Sequence, residues 1–244
     1  MGDGVPVRPA STVVLLREDG GRLETLLLKR NRALLFAGGF WVFPGGAIDD
    51  ADRAAAGGNP DRAARLAAAR EAREEAGVVT DPDAMVPLSH WTTPTVERRR
   101  FATWFFAAPL AGDCAVTIDN SEIHEARWLG LGEALEAHAA GELNLMPPTY
   151  VTLLNLAGYA DLASMLTAEA ASPVPRVEPV LAREGERPVT IYPGDAAYGG
   201  GDPASPGPRH RCVLDGRQWV YECRDLPGDC LPLVPRALDG HGQR

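Results

Sequence analysis

The sequence predicts a protein of mixed α and β structure, and three observations support this. Two apolar runs, at residues 11–16 and 23–29, flank a polar segment, a pattern typical of a β-hairpin. Residues 60–76 follow an asparagine and end before Gly77, which are common start and stop signals of a helix. Strand-like runs return at residues 85–91, 99–107 and 126–129.

The remaining segments divide the chain into a main domain and an extension. A short aromatic strand at residues 40–43 precedes Pro44-Gly45-Gly46, and residues 49–59 are predicted to form an acidic loop. A short helix is expected at 131–140, a helical pair from 148–159 onwards, and short strands at 189–192, 211–214 and 218–222. We therefore expect a domain over residues 1–160 and an extension over residues 161–244 packed on it.

Composition and charge exclude several classes of protein. At 244 residues, 45% of them hydrophobic, the chain is long enough to bury a full core. No apolar run approaches about 18 residues, so no membrane-spanning segment is predicted. The net charge of −9 argues against a protein that coats nucleic acid. The four cysteines form no C-x-x-C pair, which indicates reduced thiols.

One face of the predicted helix at 60–76 carries three carboxylates. At about 100° per residue, Glu71, Glu74 and Glu75 project from roughly a third of the helix circumference. Like charges at this spacing repel, and Arg70 and Arg73 offset only part of the repulsion. A hard divalent cation would offset the rest. The competing interpretation is a solvated helix face with ion pairs such as Arg70 with Glu74.

A glycine turn before this helix makes the pattern more specific. The segment Phe43-Pro44-Gly45-Gly46, followed by R-E-x-x-E-E-x-G at residues 70–77, resembles the box of the Nudix hydrolases. The resemblance implies an α/β/α sandwich with a mixed sheet, extended here by C-terminal helices and strands. It also implies hydrolysis of a diphosphate linkage with Mg²⁺ or Mn²⁺, ions that suit hard oxygen ligands.

The resemblance assigns a role to each residue of the box. Glu74 and Glu75 match the principal metal ligands, and Glu71 matches a further acid that binds metal or orients water. Arg70 matches the arginine that fixes the carboxylates by salt bridges. The glycines of the box correspond to Gly46 and Gly77.

The spacing within the box departs from the family pattern. Gly46 and Arg70 are 24 residues apart, more than the pattern G-x5-E-x7-R-E allows, which indicates an insertion at about 49–59. Counting forward from Gly46 puts the first acid of the box at Asp52, whereas counting back from Arg70 puts it at Arg62. Asp52 is therefore a candidate accessory acid, with an ordinary acidic loop as the alternative.

The split box also resembles the coenzyme A diphosphatase branch of the family, the nudix motif 19 type. Its halves are V-F-x-G-G-x-x-D-x-A-D at residues 42–52 and A-x-R-E-A-x-E-E-A-G-V at residues 68–78. Similar segments continue at 90–94, 100–106, 145–149 and 192–195. A second signature of CoA-type members has a counterpart at residues 26–31, where Leu28 and Asn31 replace its threonine and serine.

Charged residues outside the helix complete the predicted site. Arg30, together with the backbone of Gly45 and Gly46, is expected to contact substrate. Arg98 and Arg100 fall on one face of a strand and are candidates for binding a substrate phosphate, with a solvated strand entry as the alternative. Glu71 and Glu75 are candidates for the general base. Glu122 and Glu125 are further candidates, because a downstream glutamate often has this role in the family, with a plain surface acid as the alternative for each. Residues 104–106 are expected in the core.

Together these features predict a Nudix diphosphatase that cleaves CoA or acyl-CoA into 3′,5′-ADP and 4′-phosphopantetheine or its acyl form. Hydrolysis of ADP-ribose, dinucleotides or nucleoside triphosphates is the alternative within the class, and a non-catalytic nucleotide sensor is the alternative outside it. The expected partner is a small-molecule diphosphate, with no nucleic acid and no membrane, and a homodimer is left open. His241-Gly242-Gln243-Arg244 lacks the small-basic-leucine tripeptide of peroxisomal targeting, so the expected location is the cytoplasm.

Overall fold

The computed structural model describes residues 5–32, 37–112, 114–118 and 121–234; the last four residues, on which the location was predicted, lie outside these ranges. Within them, no helix combines the length and the apolar character needed to cross a membrane. In chain order the elements are β1 (Val7–Asp19), β2 (Arg22–Arg30), β3 (Trp41–Val42), β4 (Gly45–Ala47), α1 (Asp50–Ala55), α2 (Pro60–Ala76), a 3₁₀ turn (Pro82–Ala84), β5 (Val86–Thr92), β6 (Arg100–Pro109), β7 (Ile123–Gly130), α3 (Leu131–Ala139), α4 (Pro147–Leu156), α5 (Leu162–Ala171), β8 (Arg176–Val177), β9 (Val180–Glu184), β10 (Arg187–Ile191), β11 (Arg209–Asp215) and β12 (Gln218–Arg224).

A mixed eight-stranded sheet forms the centre of the main domain. Its hydrogen-bonded order is β3-β2-β1-β6-β5-β8, with β4 paired to β1 and β7 paired to β2. β1 runs parallel to β6, and β5 runs parallel to β8, whereas the other pairs are antiparallel. β1 changes partner along its length, from β4 at residues 10–12 to β2 at residues 16–19. The glycine turn thereby becomes part of the sheet.

Alternation along β1 supplies a hydrophobic core on each face of this sheet. Val13 and Leu15 pack with the buried alanines of α2 on one face. Val14 and Leu16 pack with apolar residues of α3, α4 and α5 on the other. Helices therefore cover both faces, which confirms the predicted α/β/α sandwich.

Helix α2 has the bounds that the sequence predicts. The Asn59 side chain accepts a hydrogen bond from the backbone N–H of Arg62, and Pro60 occupies the first turn. Gly77 ends the helix with a φ of 69°, a conformation that glycine adopts readily. These local signals fix which face of the helix carries the three glutamates.

The prediction of a loop over residues 49–59 is wrong in its first half, because Asp50–Ala55 forms α1. The Asp49 side chain accepts the N–H of Asp52, and the Asp52 side chain accepts the N–H of Asp49. Such a reciprocal capping box stabilises a helix start even in an acidic segment. The insertion is thus a folded element, and Asp52 within it is 6% exposed.

The C-terminal extension contains the predicted helices and strands. β8 joins the main sheet beside β5, and β9 to β12 form a separate antiparallel sheet in the order β12-β11-β10-β9. Inside this second sheet, Arg211 Nη2 lies 2.7 Å from Asp195 Oδ1 and Arg211 Nε donates to Asp195 Oδ2 at 2.8 Å. The four cysteines are free thiols, as predicted. A domain boundary at residue 160 stays a prediction.

Candidate active site

Glu75 lies where helix α2 faces the glycine turn. The Gly45 N–H donates to Glu75 Oε2 at 3.0 Å, and Arg30 Nη1 lies 3.7 Å from Glu75 Oε1. The Glu75 side chain is only 9% exposed. Burial raises the pKa of Glu75 to about 7, because the contacts with Gly45 and Arg30 only partly replace water. The fold therefore holds this carboxylate where its negative charge is costly.

Arg70 connects the insertion helix α1 to the acidic face of α2. Its guanidinium lies 3.0 Å from Asp52 Oδ2, 2.7 Å from Glu71 Oε1 and 3.0 Å from Glu74 Oε2. It also donates to the carbonyl oxygen of Ala47 at 3.0 Å. Burial alone would lower the pKa of Arg70, but hydrogen bonds to Asp52 and Glu71 outweigh it and raise the pKa. The arginine thus fixes carboxylates from two elements.

Gly45 and Gly46 have neighbouring atoms so close to them that no side chain would fit at either position. A Cβ atom at Gly46 would lie 2.3 Å from Glu71 Oε1, and one at Gly45 would lie 2.4 Å from Thr12 Oγ1. Both distances are far below van der Waals contact. Burial raises the pKa of Glu71 above its ordinary value, and Arg70 opposes this shift. The absence of side chains at the turn is what lets α2 bring Glu71 and Glu75 against it.

Negative charge exceeds positive charge in this cluster. Six carboxylates contact the two guanidiniums of Arg30 and Arg70, namely Asp49, Asp52, Glu71, Glu74, Glu75 and Glu122. Hard oxygen donors with an excess of negative charge suit Mg²⁺ or Mn²⁺. Within the described ranges, however, no three Asp, Glu, His or Cys side chains are grouped closely enough to hold one ion. The carboxylate oxygens are therefore of the type that binds a divalent cation, but here several of these side chains point towards Arg70.

Two buried polar atoms beside the carboxylates also fit a bound group. Ser11 Oγ and Arg30 Nε are buried and have no hydrogen-bond partner among the described residues. Ser11 pairs with Gly46 in the sheet, and Arg30 contacts Glu75. A buried polar group without a partner is costly, so a water molecule or a substrate oxygen at this place would be favourable.

The two downstream glutamates lie in different surroundings. Glu122 lines the cavity described below and lies 3.1 Å from Arg30 Nη2. Glu125 does not line it and lies 3.2 Å from Lys29 Nζ. Partial burial would raise the pKa of Glu125, but Arg127 and Lys29 hold it below its ordinary value.

The two arginines predicted to share a strand face lie outside the cluster, and only Arg100 belongs to a strand, because β6 begins there. Arg100 Nη2 lies 2.5 Å from Glu178 Oε1, and Arg100 Nε donates to the carbonyl oxygen of Thr93 at 3.0 Å. Arg98 is exposed. Neither arginine lines the cavity. Further along the same strand, Phe106 is fully buried as expected.

The acidic face of α2 opens into a cavity of about 1060 Å³. Glu71, Glu74 and Glu75 line one end of it, and the sheet supplies a floor that includes Phe101 and Phe105. Sequence reasoning missed several further lining residues: Arg8, Ser11 and Thr12 of β1, and Leu181, Val189 and Trp219 of the extension. Alternation along β1 is a signal that could have placed Arg8 on the same face as Thr12.

Comparisons with known proteins identify the family of the chain. The family model of the NUDIX domain matches residues 6–147. The chain is 30% identical over 122 residues to acyl-coenzyme A diphosphatase NUDT19 of Xenopus laevis, covering 47% of this chain and 32% of that protein. It is 26% identical over 189 residues to putative nudix hydrolase 7 of Caenorhabditis elegans, covering 63% and 62%. The chain therefore spans about a third and somewhat under two thirds of these relatives.

The fold also has a counterpart among solved structures. The crystal structure of a NUDIX hydrolase from Alicyclobacillus acidocaldarius is similar with a TM-score of 0.62 at 22% identity. The match covers 69% of this chain and 99% of that one. At this identity the likeness concerns the fold alone.

Proposed function

The chain belongs to the Nudix family of hydrolases, and on this premise we propose that it cleaves the diphosphate linkage of CoA or an acyl-CoA. Water attacks phosphorus, and the products are 3′,5′-ADP and 4′-phosphopantetheine or its acyl form. The observation that carries the proposal is one cavity that is lined both by the surplus carboxylates of α2 and by uncharged, mainly apolar residues of the extension. The similarity to an acyl-coenzyme A diphosphatase supports the choice of substrate.

Glu71, Glu74 and Glu75 are the residues that would hold Mg²⁺ or Mn²⁺. A bound divalent cation neutralises phosphoryl oxygens and lowers the pKa of water. Arg70 keeps Glu71 and Glu74 on one side of the helix, and the Gly45 N–H keeps Glu75 oriented. Because Gly45 and Gly46 have no side chains, a phosphate group can approach the backbone of the turn.

Glu122 is the best-placed general base among the downstream acids. It lines the cavity, and its partner Arg30 also contacts Glu75, so it lies within reach of a water molecule near the carboxylates. Glu125 is held by cations that favour its charged form, which makes it a weaker base. We assign Asp52 a positioning role through Arg70. Glu71 and Glu75 are the alternative bases.

Arg8 replaces Arg98 and Arg100 as the proposed contact for a second phosphate. Arg8 and Arg30 are the basic residues that line the cavity within the part of the chain that the structure describes. Arg8→Gln is expected to raise the KM for CoA about fivefold, the loss of one exposed charge-assisted hydrogen bond. The KM for dephospho-CoA, which lacks the 3′-phosphate, should not change. An equal change for both substrates would contradict the assignment.

The first test is product release from a panel of diphosphates. The panel contains CoA, octanoyl-CoA, ADP-ribose, NADH and a nucleoside triphosphate, each with and without Mg²⁺ or Mn²⁺. Release of 3′,5′-ADP that needs the metal and exceeds turnover of the other compounds would support the proposal. Preference for another diphosphate would keep the chemistry and reject the CoA assignment. Binding of a nucleotide without turnover of any compound would favour a sensor. A cytoplasmic location stays a prediction.

A further inference from the structure

The far wall of the cavity comes from the C-terminal extension and carries no charge. Pro179, Leu181, Pro188, Val189 and Trp219 line it. None of the lining residues that the extension contributes is charged, in contrast with the carboxylates that α2 contributes. A volume of about 1060 Å³ is at the upper end of the roughly 300–1,000 Å³ that encloses a drug-sized ligand. A diphosphate group alone would fill a small part of it.

Trp219 is held so that it offers an apolar surface. Its indole N–H donates to the carbonyl oxygen of Leu145 at 2.9 Å, so this donor is already used. Its backbone N–H donates to His138 Nε2 at 2.9 Å, and His138 Nδ1 donates to the carbonyl oxygen of Leu143 at 2.8 Å. These bonds connect the turn before Trp219 to helix α3. The ring is therefore fixed and has no N–H left for a polar ligand.

Leu181 is a large apolar residue of this wall that is exposed to solvent. It is 47% exposed, and it lines the cavity at strand β9. An apolar surface that is grouped with other apolar residues and faces a cavity gains free energy when a ligand covers it. The sheet floor opposite, with Trp91, Phe101 and Phe105, offers further apolar surface.

We infer that this wall holds the acyl chain of an acyl-CoA whose diphosphate lies against helix α2. The inference rests on the proposed function and adds the residues that would contact the acyl chain. The composition of one cavity carries it: the carboxylates of α2 suit a cation with a diphosphate, and the uncharged residues from the extension suit an apolar chain. An adenine base would need polar partners at its edge, and the ring N–H of Trp219 is not available for that purpose.

The test is a binding experiment that does not depend on turnover. Isothermal calorimetry in EDTA compares octanoyl-CoA with CoA for the full chain, for Leu181→Asp and for the control Leu231→Asp. Leu231 is 45% exposed and does not line the cavity, so it matches Leu181 in exposure but not in place. Burying several methylene groups should make octanoyl-CoA bind at least about tenfold more tightly than CoA. Leu181→Asp should reduce this ratio to below about threefold, and Leu231→Asp should leave it unchanged.

Other outcomes would overturn the inference. These are equal affinity of both ligands for the unmodified chain, no binding of either ligand, or an equal loss in the two aspartate variants. A second variant, Leu181→Trp, narrows the wall and should shift the preferred acyl chain from eight carbons to a shorter one; an unchanged preference would also contradict the inference. The proposed function fails separately, if the unmodified chain keeps the affinity ratio but hydrolyses neither ligand with Mg²⁺.

Discussion

Arg70 and Arg211 both bind carboxylates, and they differ in how well the charges are balanced. Arg70, with a side chain that is 19% exposed, is shared by four carboxylates: Asp49, Asp52, Glu71 and Glu74. Arg211 is 1% exposed and binds both oxygens of the buried Asp195, at 2.7 and 2.8 Å, with Glu184 as a second, more distant carboxylate at 3.5 Å. The first cluster has surplus negative charge next to a cavity, whereas the second is a forked pair inside a sheet.

The difference distinguishes a candidate ligand-binding cluster from an ion pair with a structural role. A cluster with surplus charge is costly in the free protein, and a cation that binds there regains that free energy. A buried, forked ion pair has its hydrogen bonds already made, so removing one partner leaves an uncompensated charge. Variants of the Arg70 cluster should therefore affect catalysis most, and variants of the Arg211 pair should affect stability most.

The largest expected effect is on catalysis at the Arg70 cluster. Glu74→Gln should lower kcat on the order of 10³-fold, because it removes a charged oxygen ligand. The melting temperature should change little, since the Glu74 side chain is 52% exposed. Steady-state kinetics with Mg²⁺ and calorimetric melting check both parts. Glu136→Gln, at an exposed glutamate of α3, is the control. If the variant kept more than about a tenth of the original kcat, the assignment of Glu74 as a metal ligand would be wrong.

The second effect is on stability at the buried pair. Arg211→Met should lower the free energy of unfolding by about 3 kcal/mol, because Asp195 is left buried and unpaired. In the same sheet, Arg183 pairs with Glu186 at the surface, with side chains 60% and 102% exposed. Arg183→Met should therefore change stability by less than about 0.5 kcal/mol. Urea unfolding measures both variants, and equal losses would show that burial of the pair is not the cause.

The two clusters should also respond to pH with opposite sign. Burial would raise the pKa of Asp195, but Arg211 and backbone N–H groups hold it below its ordinary value. Its contribution to stability is present above the unfolded pKa of about 3.9 and is lost as pH falls through the lower folded value. Burial raises the pKa of Glu75 to about 7. Between the unfolded and folded values the native state retains the proton, so stability falls as pH rises.

The fall in stability with rising pH that is expected from Glu75 can be measured in the absence of metal. Between pH 5 and 8 in EDTA, the unmodified chain should lose on the order of 2 kcal/mol relative to Glu75→Gln, which cannot ionise. Addition of Mg²⁺ at the upper end of the range should reduce the loss in the unmodified chain only. Parallel curves for the two proteins would show that Glu75 does not ionise in the way that its burial implies.

The smallest effects concern the starts of two helices, α2 in the main domain and α5 in the extension. Asn59→Ala at α2 and Asp161→Ala at α5 each remove a side chain that caps the first turn. Each should lower the free energy of unfolding by about 1 kcal/mol. The kcat of Asn59→Ala should stay within about twofold, because the cap lies at the end of α2 away from Glu74. A large loss of kcat would mean that the catalytic end of the helix depends on its start.

Sequence reasoning predicted those parts of the site that depend on local signals. Asn59, Pro60 and Gly77 defined helix α2, and helical geometry then placed Glu71 and Glu75 on one face. The helix α1 was missed, although Asp49 and Asp52 have the spacing of a reciprocal cap. A run of acids with several glycines after it is equally typical of a loop.

The cavity wall could not be predicted, because it depends on contacts between distant parts of the chain. Leu181 and Trp219 line the same cavity as the floor residue Phe101 only because the extension packs on the sheet. Arg100 was expected to bind phosphate, and Glu178, from the extension, binds it instead. No local pattern around Arg100 indicates this partner.

The two-residue strand β8 has a consequence for the chain as a whole. It pairs with His90 and Trp91 of β5, and the His90 N–H also donates to the carbonyl oxygen of Pro175. A sheet edge without such a cover presents free backbone groups that recruit strands from other molecules. The extension therefore covers the part of the β5 edge at His90 and Trp91. We expect a chain cut at residue 160 to expose these backbone groups and to self-associate more readily, even though every residue of α2 would still be present.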